Sequence, residues 1–241
     1  MIKFGTGGWR AIIGDEFTKK NIQKLAKALA MKMKDEQVAE KGIVAGYDRR
    51  FLSKETIYWA TEIFAREGIK TWFVNRSSPT PLVMFYVMKH HFPYGYMVTA
   101  SHNPALYNGI KVFTEGGRDA NEEQTKDIER YIAKVEELYG EEPLDFIPYE
   151  TALKEGLVVE FNPINDYIDN ILESVDVKKI RESHLKVALD PMYGVSEGSL
   201  KTILLTARCD VESIHERHDT LFGGKLPSPS VPGINPYIAH I

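Results

Sequence analysis

Apolar positions in the first 140 residues alternate between two spacings, one typical of helices and one of buried strands. In "TKKNIQKLAKALAMKMK" the apolar residues recur at three- and four-residue intervals from Ile22 to Met33, which predicts an amphipathic helix. Short continuous apolar runs, namely "GIVAGY", "IKTWFV", "GYMVTA" and "IKVFT", predict buried strands. Strands and helices that follow each other in this way predict an α/β layered domain with a largely parallel sheet.

Residues with special backbone preferences mark where further helices begin and end. Ser53 is the predicted N-cap of a helix over "SKETIYWATEIFAREG", with Gly68 just past its end. Thr80 stands at a cap position before the next helix, and Pro81 occupies the first helical position, where a missing N–H costs nothing. The turn "EGGRD" then leads into "EEQTKDIERYIAKVEEL", a charged surface helix.

The pattern changes near residue 140. The segment "YGEEPLDFIPYETALKEG" is acidic and has no regular period, so residues 141–163 are predicted to form an irregular linker. Beyond it, "INDYIDNILESV" and "GSLKTILLTA" predict helices, whereas "LKVALDP" and "CDVESIHE" predict strands. We therefore expect one α/β domain over residues 1–140 and a second, incomplete one over residues 164–230.

The carboxyl-terminal stretch differs from the rest. "FGGKLPSPSVPGINPYIAHI" is rich in proline and glycine and shows no further helix or strand signal, and residues 231–241 are an atypical tail. We expect the chain to be a fragment or a shortened form of a longer protein. An incomplete second domain is expected to be poorly ordered, or to form a homodimer or a domain exchange through its open sheet edge.

Composition narrows the class of protein. The 241 residues are 43% hydrophobic and 27% charged, as in globular proteins, and a net charge of −4 argues against nucleic-acid binding. The single Cys209 cannot form an internal disulfide. The first residues lack the regions of a signal peptide, and no apolar run approaches the length of a membrane span. A cytoplasmic protein that handles small molecules is expected.

The segment "VTASHNPALYNGIK", residues 98–111, follows a predicted buried strand and is rich in polar side chains. Ser101 could be a nucleophile, but a hydroxyl needs activation, and adjacent side chains such as that of His102 often point apart. The nucleophile-elbow pattern of serine hydrolases is absent, since Thr99 and Asn103 stand where glycines are needed. The alternative is a turn built by Ser101, Asn103 and Pro104.

A second polar cluster lies in "FGTGGWR" near the amino terminus. Its three glycines could let backbone N–H groups approach a phosphate, and Arg10 offers a guanidinium suited to phosphate. Neither the P-loop nor the dinucleotide-binding pattern is matched, because Arg10 occupies the place of the third glycine and no Lys-Ser/Thr pair follows. A flexible amino terminus is the alternative interpretation.

Together, "FGTGGWR", "TASHNP" and "YNGIK" resemble the α-D-phosphohexomutase family, which includes phosphoglucomutases, phosphomannomutases and phosphoglucosamine mutases. "GYDRR" is similar to the family's Gly-x-Asp-x-Arg segment, and "SSPTP" also agrees. The resemblance runs from residue 2 to about residue 230. It implies that a loop serine, carried as phosphoserine, exchanges a phosphoryl group with a hexose phosphate through a bisphosphate intermediate.

The resemblance also implies roles for individual residues. Ser101 falls on the phosphoserine position and would bind Mg²⁺ through its phosphate. Lys111 matches a lysine that moves protons to and from the reacting hydroxyl, and His102 matches a histidine that contacts substrate or supports proton transfer. Arg10 and Asn103 would bind phosphate. Asp48 and Arg49 are expected to form a structural pair beneath the site.

This sequence departs from the family pattern in its second half. The Asp-Gly-Asp-x-Asp-Arg loop that binds Mg²⁺ in the family is absent, and the nearest carboxylates, Asp190 and Asp219, stand alone in sequence. The loops that choose the sugar and hold its distant phosphate are also absent. We expect a phosphohexomutase activated by glucose 1,6-bisphosphate, glucose being preferred over mannose, with little activity in this chain alone. The alternative is a non-catalytic, mutase-derived module that binds a sugar phosphate or a partner chain.

Overall fold

The computed structural model describes residues 2–5 and 8–230. The strands of its larger sheet are β1 (Trp9–Ile12), β2 (Ile43–Tyr47), β3 (Thr71–Val74), β4 (Tyr94–Val98), β5 (Tyr107–Thr114), β6 (Arg118–Asp119) and β7 (Val158–Phe161). The helices of this part are α1 (Lys19–Asp35), α2 (Ser53–Arg66), α3 (Thr80–Lys89), α4 (Glu122–Tyr139) and α5 (Tyr149–Lys154). Short 3₁₀ turns lie at Ala39–Lys41 and Phe222–Gly224.

The sheet is mixed, with a parallel centre. Its strand order is β1-β5-β4-β2-β3-β7, with β6 added to β5. The four neighbours β4, β2, β3 and β7 are parallel, whereas β5 is antiparallel to β1, β4 and β6. The predicted α/β class with a mostly parallel mixed sheet is therefore confirmed. The loop between β4 and β5, which carries Ser101, connects two adjacent antiparallel strands.

Helices cover both faces of the sheet, because side chains alternate along each strand. In β2, Ile43 and Ala45 face the core formed with α1, α2 and α4, while Val44 faces a second core formed with α3. The α1 stripe from Ile22 to Met33 is buried as its periodicity predicted. The result is a three-layer α/β/α arrangement with the Ser101 loop at the carboxyl end of β4.

The prediction of an irregular linker over residues 141–163 is wrong for much of that range, which contains a helix and a strand. Helix α5 begins at Tyr149, whose ring packs against Tyr58 at a centroid distance of 4.1 Å. Strand β7 then pairs in parallel with β3 and forms the edge of the larger sheet. Only four residues form β7 and their burial does not alternate, so the signal in the sequence was too short to separate a strand from an acidic loop.

Two predicted helix starts are displaced by one residue. Leu52, in the left-handed region at φ +61°, precedes α2, so Ser53 is its first helical residue and not its N-cap. The Ser53 hydroxyl instead donates to the Asp48 carboxylate over 3.0 Å. Pro79 precedes α3, which makes Thr80 the first and Pro81 the second helical residue. The predicted end of α2 is confirmed, with Gly68 at φ +75°.

The second unit is smaller. It contains α6 (Ile164–Ser174), α7 (Val177–Glu182), β8 (Lys186–Leu189), α8 (Ser196–Thr206) and β9 (Asp210–Ser213). Strands β8 and β9 pair in parallel as a two-stranded sheet, and α7 was not predicted. Pairing of its edge with a second copy stays a prediction, and the tail at 231–241 lies outside the described residues.

Within residues 2–5 and 8–230, no helix is both long and apolar enough to cross a membrane.

Candidate active site at the carboxyl end of the sheet

Ser101 lies three residues beyond the carboxyl end of β4 and is exposed. Its backbone is in the left-handed region, at φ +54°, which is uncommon for a residue other than glycine. The Ser101 amide donates to the Thr99 hydroxyl over 3.0 Å, and the Asn103 amide donates to the Ala100 carbonyl over 3.1 Å. Sparsely populated backbone conformations of this kind are concentrated at functional sites.

The turn brings together two side chains that sequence alone could not pair. The Ser101 hydroxyl oxygen lies 3.2 Å from Nδ1 of His102, and both side chains are exposed. Adjacent side chains normally diverge, but the left-handed Ser101 backbone turns them to the same side. An imidazole nitrogen at this distance can exchange a proton with the hydroxyl.

A buried arginine, Arg50, supports this loop from beneath. Its guanidinium donates four hydrogen bonds of 2.7–3.0 Å to backbone carbonyls of the loop. The acceptors are the carbonyl oxygens of Ser101, Asn103, Pro104 and Tyr107. The loop is therefore fixed by charge-assisted bonds, which are stronger than bonds between neutral groups.

Asp48 provides the counter-charge of Arg50. Its Oδ2 lies 3.5 Å from Nε of Arg50, and its Oδ1 accepts from the Arg50 amide over 3.0 Å. Burial raises the pKa of the Asp48 carboxyl above its ordinary value, while the Arg50 charge acts in the opposite direction. The expected structural pair beneath the site therefore exists, but Arg50 and not Arg49 is the partner.

Arg49 instead connects the two units. Its guanidinium lies 3.0 Å from a Glu197 carboxylate oxygen at the start of α8, and it also donates to the Glu216 carbonyl over 2.9 Å. In addition, Nε2 of His218 lies 3.0 Å from the Arg49 carbonyl oxygen. These contacts hold the second unit against the end of the sheet where Ser101 lies.

A cavity of about 270 Å³ lies between the two units at this position. The first unit contributes Asp48, Arg49, Ser78, Thr80, Thr99 and Ser101 to its lining. The second contributes Asp190, Pro191, Met192, Gly194, Val195, Ser196, Phe222, Pro227 and Pro229. Ser101 therefore lines a cavity whose opposite wall is mostly apolar, with Asp190 and Ser196 as its polar side chains, and such a cavity is a common location for a ligand site.

Asp190 is not isolated in space, although it appeared so in the sequence. It follows β8 directly, and its Oδ2 lies 3.0 Å from Nδ1 of His215, which follows β9. Its Oδ1 accepts from the Met192 amide over 2.8 Å. Because β8 and β9 are parallel, their carboxyl ends meet and bring these residues to one edge.

Of the other residues with expected roles, Arg10 lies near the loop and Lys111 lines a different cavity. Arg10 donates to the Asn103 side-chain oxygen over 3.0 Å, so these two expected phosphate ligands contact each other. The Lys111 ammonium pairs with Asp119 at 3.0 Å and lies on a separate cavity with Phe4. The structure does not bring Lys111 and Ser101 into the same pocket.

The carboxylates near Ser101 do not fit a Mg²⁺ site. Mg²⁺ prefers several free oxygen ligands in octahedral geometry, whereas Asp48 is committed to Arg50, and Asp190 to His215 and a backbone amide. Asp219 is committed to the amides of Leu221 and Gly223. In the part of the chain that the structure describes, no three His, Cys, Asp or Glu side chains form a group that could hold a metal ion.

Two residues of this site were missed by sequence reasoning. Arg50 carried a signal, because an arginine two residues after an aspartate at a strand end suits a carboxylate pair as well as Arg49 does. The Gly-x-Asp-x-Arg pattern in "GYDRR" places its arginine on Arg50, and this is the sequence signal that distinguishes Arg50 from Arg49. The only sequence signal for Asp190 was its position directly after a predicted strand, where ligand sites of parallel sheets occur.

Two family models match the chain. "Phosphoglucomutase/phosphomannomutase, alpha/beta/alpha domain I" matches residues 1–139, and the corresponding domain II model matches residues 165–239. A phosphoglucosamine/phosphogalactosamine mutase from Sulfurisphaera tokodaii is 29% identical over 227 residues, which is 94% of this chain and 47% of the relative. A phosphoglucomutase from Staphylococcus haemolyticus is 30% identical over 209 residues, which is 84% of this chain and 37% of the relative.

Solved structures show the same architecture. A Thermus thermophilus protein assigned as a phosphomannomutase has a TM-score of 0.83 and 27% identity over 99% of this chain and 51% of its own. Parafusin from Paramecium, at 18% identity and a TM-score of 0.82 over 98% of this chain and 47% of its own, shares the fold. The chain thus spans about half the length, or less, of the relatives it matches.

Proposed function

The chain belongs to the phosphoglucomutase/phosphomannomutase family, whose domain I model alone matches residues 1–139, and we propose from this that Ser101 carries a phosphoryl group to and from a hexose phosphate. The observation that carries the proposal is the geometry of one loop. The Ser101 hydroxyl is exposed beside His102 on a loop fixed by Arg50, and it faces a cavity between two units. A fixed nucleophile at such a cavity meets the positional demand of phosphoryl transfer.

In the proposed reaction the phosphoserine donates its phosphoryl group to a free hydroxyl of a hexose 1- or 6-phosphate. The bond from phosphorus to the Ser101 oxygen breaks, a bond to the sugar oxygen forms, and the sugar hydroxyl proton passes by way of His102 to the serine oxygen. The bisphosphate then returns its other phosphoryl group to Ser101, and the same proton moves back. Each half of the cycle conserves phosphate, and water is not consumed.

We assign Arg10 and Asn103 to the phosphate on the exposed side of the loop. Arg10 already contacts the Asn103 side chain, so its guanidinium lies against the loop that carries Ser101. A guanidinium matches two phosphate oxygens at once. Lys111 can carry a proton to or from the sugar hydroxyl only after its ammonium leaves Asp119. The proposed steps do not pass through a metal ion.

We propose glucose phosphate as the first substrate to test, with mannose and amino-sugar phosphates as comparisons. We also propose that the protein acts in the cytoplasm. The names of the relatives cover phosphoglucomutase and phosphoglucosamine/phosphogalactosamine mutase and do not select one sugar. Since the chain spans about half the length of such relatives, we propose the phosphoryl-carrier step for these residues and expect slow complete turnover from this polypeptide alone.

The test is phosphoryl uptake on the purified chain. Incubation with glucose 1,6-bisphosphate is expected to add one phosphoryl group, mapped to Ser101 by peptide mass spectrometry. Ser101→Ala should remove the uptake completely, whereas Ser196→Ala, which changes another serine of the same cavity, should leave it intact. A folded wild-type chain that gains no phosphoryl group, or gains it at another residue, would refute the proposed function.

His102 provides a second prediction. His102→Gln is expected to slow phosphoryl uptake by about 100-fold, because the imidazole that exchanges a proton with the Ser101 hydroxyl is lost. The measurement is the initial rate of labelling at saturating bisphosphate. His90→Gln, an exposed histidine at the end of α3, is the matched control and should keep the wild-type rate. Equal rates in both variants would exclude His102 from proton transfer.

A further inference from the structure

We propose that Arg50 is a positioning residue for phosphoryl transfer, which holds the Ser101 loop in its reactive shape and ties that shape to the second unit through Phe222. This inference rests on the proposed function of Ser101. Arg50 does not touch the Ser101 hydroxyl, and its side chain is only 1% exposed. Its effect must therefore pass through the backbone of the loop.

The hydrogen bonds of Arg50 occupy both of its terminal nitrogens. One terminal nitrogen donates to the carbonyls of Pro104 and Tyr107, each over 3.0 Å. The other donates to the carbonyls of Ser101 and Asn103, each over 2.7 Å. The remaining N–H, on Nε, lies on the side of the Asp48 carboxylate. A guanidinium has five donors in a fixed plane, so four of them bond this loop while the fifth is next to Asp48.

These bonds determine what the loop presents to a phosphate. Four carbonyl oxygens point inward to one cation, so their partial negative charge is turned away from the side that would carry the phosphoryl dianion. The exposed side presents the Ser101 hydroxyl and the His102 ring. Carbonyl oxygens turned toward a bound phosphate would repel it, and this repulsion is stronger in a partly buried site than in water. Arg50 therefore fixes the shape of the loop and also keeps carbonyl dipoles away from the side where a phosphate would bind.

The guanidinium also contacts the second unit. Its central carbon lies 4.9 Å from the centroid of the Phe222 ring, and Phe222 is 4% exposed. Phe222 begins the 3₁₀ turn Phe222–Gly224, which Asp219 stabilises by accepting from the Gly223 amide. Arg50 thus lies between the Ser101 loop and a ring of the opposite unit, and correct docking of that unit keeps the guanidinium plane in place.

Lysine cannot replace this arrangement. An ammonium has three donors on one nitrogen, whereas the four carbonyl acceptors are spread over residues 101–107 and are met by two separate nitrogens. Arg50→Lys keeps the charge that balances Asp48, but its single nitrogen cannot bond all four carbonyls. The variant therefore tests the hydrogen bonds that position the loop while the positive charge at residue 50 is kept.

The first measurement is the rate of phosphoryl uptake against the concentration of glucose 1,6-bisphosphate. In Arg50→Lys the maximal rate is expected to fall by about 100-fold, since a displaced nucleophile loses reactive geometry. The half-saturating concentration should change little, because Arg50 does not contact the sugar phosphate. Arg66→Lys, which changes an exposed arginine 3.4 Å from Asp145, is the matched control and should keep both values.

The second measurement is hydrogen exchange of backbone amides on the same samples. Arg50→Lys is expected to speed exchange selectively in residues 99–109, with the rest of the sheet unchanged. Should Arg50→Lys fail to fold, Phe222→Leu, which keeps Arg50 and removes the ring, is expected to lower the maximal rate in the same direction by a smaller factor.

The outcomes are separable. An unchanged maximal rate in a folded Arg50→Lys chain, or unchanged exchange in residues 99–109, would overturn the positioning role while the proposed function stands. A wild-type chain without phosphoryl uptake would overturn the proposed function. Faster amide exchange in residues 99–109 of the variant would then show only a structural contact of Arg50, so the positioning role would be overturned as well.

Discussion

Replacement of Asp48 by alanine is expected to lower the free energy of unfolding of the first unit by about 3–5 kcal/mol. The Arg50 guanidinium would remain buried after its counter-charge is removed. The Arg50 amide and the Ser53 hydroxyl would also lose the oxygen that accepts from them over 3.0 Å. Asp48→Asn retains an oxygen for these two donors and is expected to be less destabilising than alanine.

The measurement is urea unfolding followed by tryptophan fluorescence. The three tryptophans, at positions 9, 59 and 72, all lie in the first unit, so the signal reports on that unit. Asp166→Ala, which removes an exposed carboxylate 3.4 Å from Lys89, is the control and should change the free energy by at most about 1 kcal/mol. Similar midpoints for the two alanine variants would show that Asp48 does not balance Arg50.

Gly109→Ala is expected to destabilise the first unit by about 1–3 kcal/mol and to disturb the Ser101 loop. A Cβ atom at residue 109 would lie 2.4 Å from the Trp9 carbonyl oxygen and 2.8 Å from that of Thr99. Both are backbone atoms, of strand β1 and of the residue that follows β4, so the clash cannot be relieved by moving a flexible side chain. Relief of the clash must shift β1 away from β5 or move Thr99, whose hydroxyl accepts from the Ser101 amide.

Thermal unfolding followed by circular dichroism tests this prediction, together with phosphoryl uptake on the folded variant. Gly198→Ala is the control, because the nearest atom to a Cβ there is the end of the Arg76 side chain at 3.6 Å and residue 198 lies in α8. That substitution is expected to be neutral or slightly stabilising, as alanine favours a helix. A Gly109→Ala chain with wild-type stability and uptake would contradict the close-packing argument.

Long periodic segments were predicted well from the sequence. Helix α1 and strands β2 to β4 follow directly from apolar spacing, because a repeated pattern over many residues leaves little ambiguity. The Ser101 loop was also predicted to lie at a strand end. The resemblance to phosphohexomutases rested on short polar motifs, and the family models agree with it.

Other features depend on contacts between residues far apart in sequence. Ser53 was expected to be a cap because its residue type favours one, but its hydroxyl donates to Asp48 and Leu52 takes the left-handed backbone. Arg49 and Arg50 differ in that the Arg50 guanidinium bonds carbonyls of the Ser101 loop, whereas that of Arg49 pairs with Glu197 of the second unit. Strand β7 exists because β3 offers it an edge, and its own four residues carry a weak signal.

Chain synthesis supplies the two sets of contacts of Arg50, the loop carbonyls and the Phe222 ring, at different times. The carbonyls that accept from the Arg50 N–H groups lie 51 to 57 residues after Arg50, so they emerge from the ribosome early. Phe222, whose ring centroid lies 4.9 Å from the guanidinium carbon, is made roughly 110 residues after Gly109, a delay on the order of ten seconds at typical translation rates. We therefore expect the Ser101 loop to reach its native shape on a nascent chain before Phe222 covers the Arg50 guanidinium, and the second unit to dock in a later folding step.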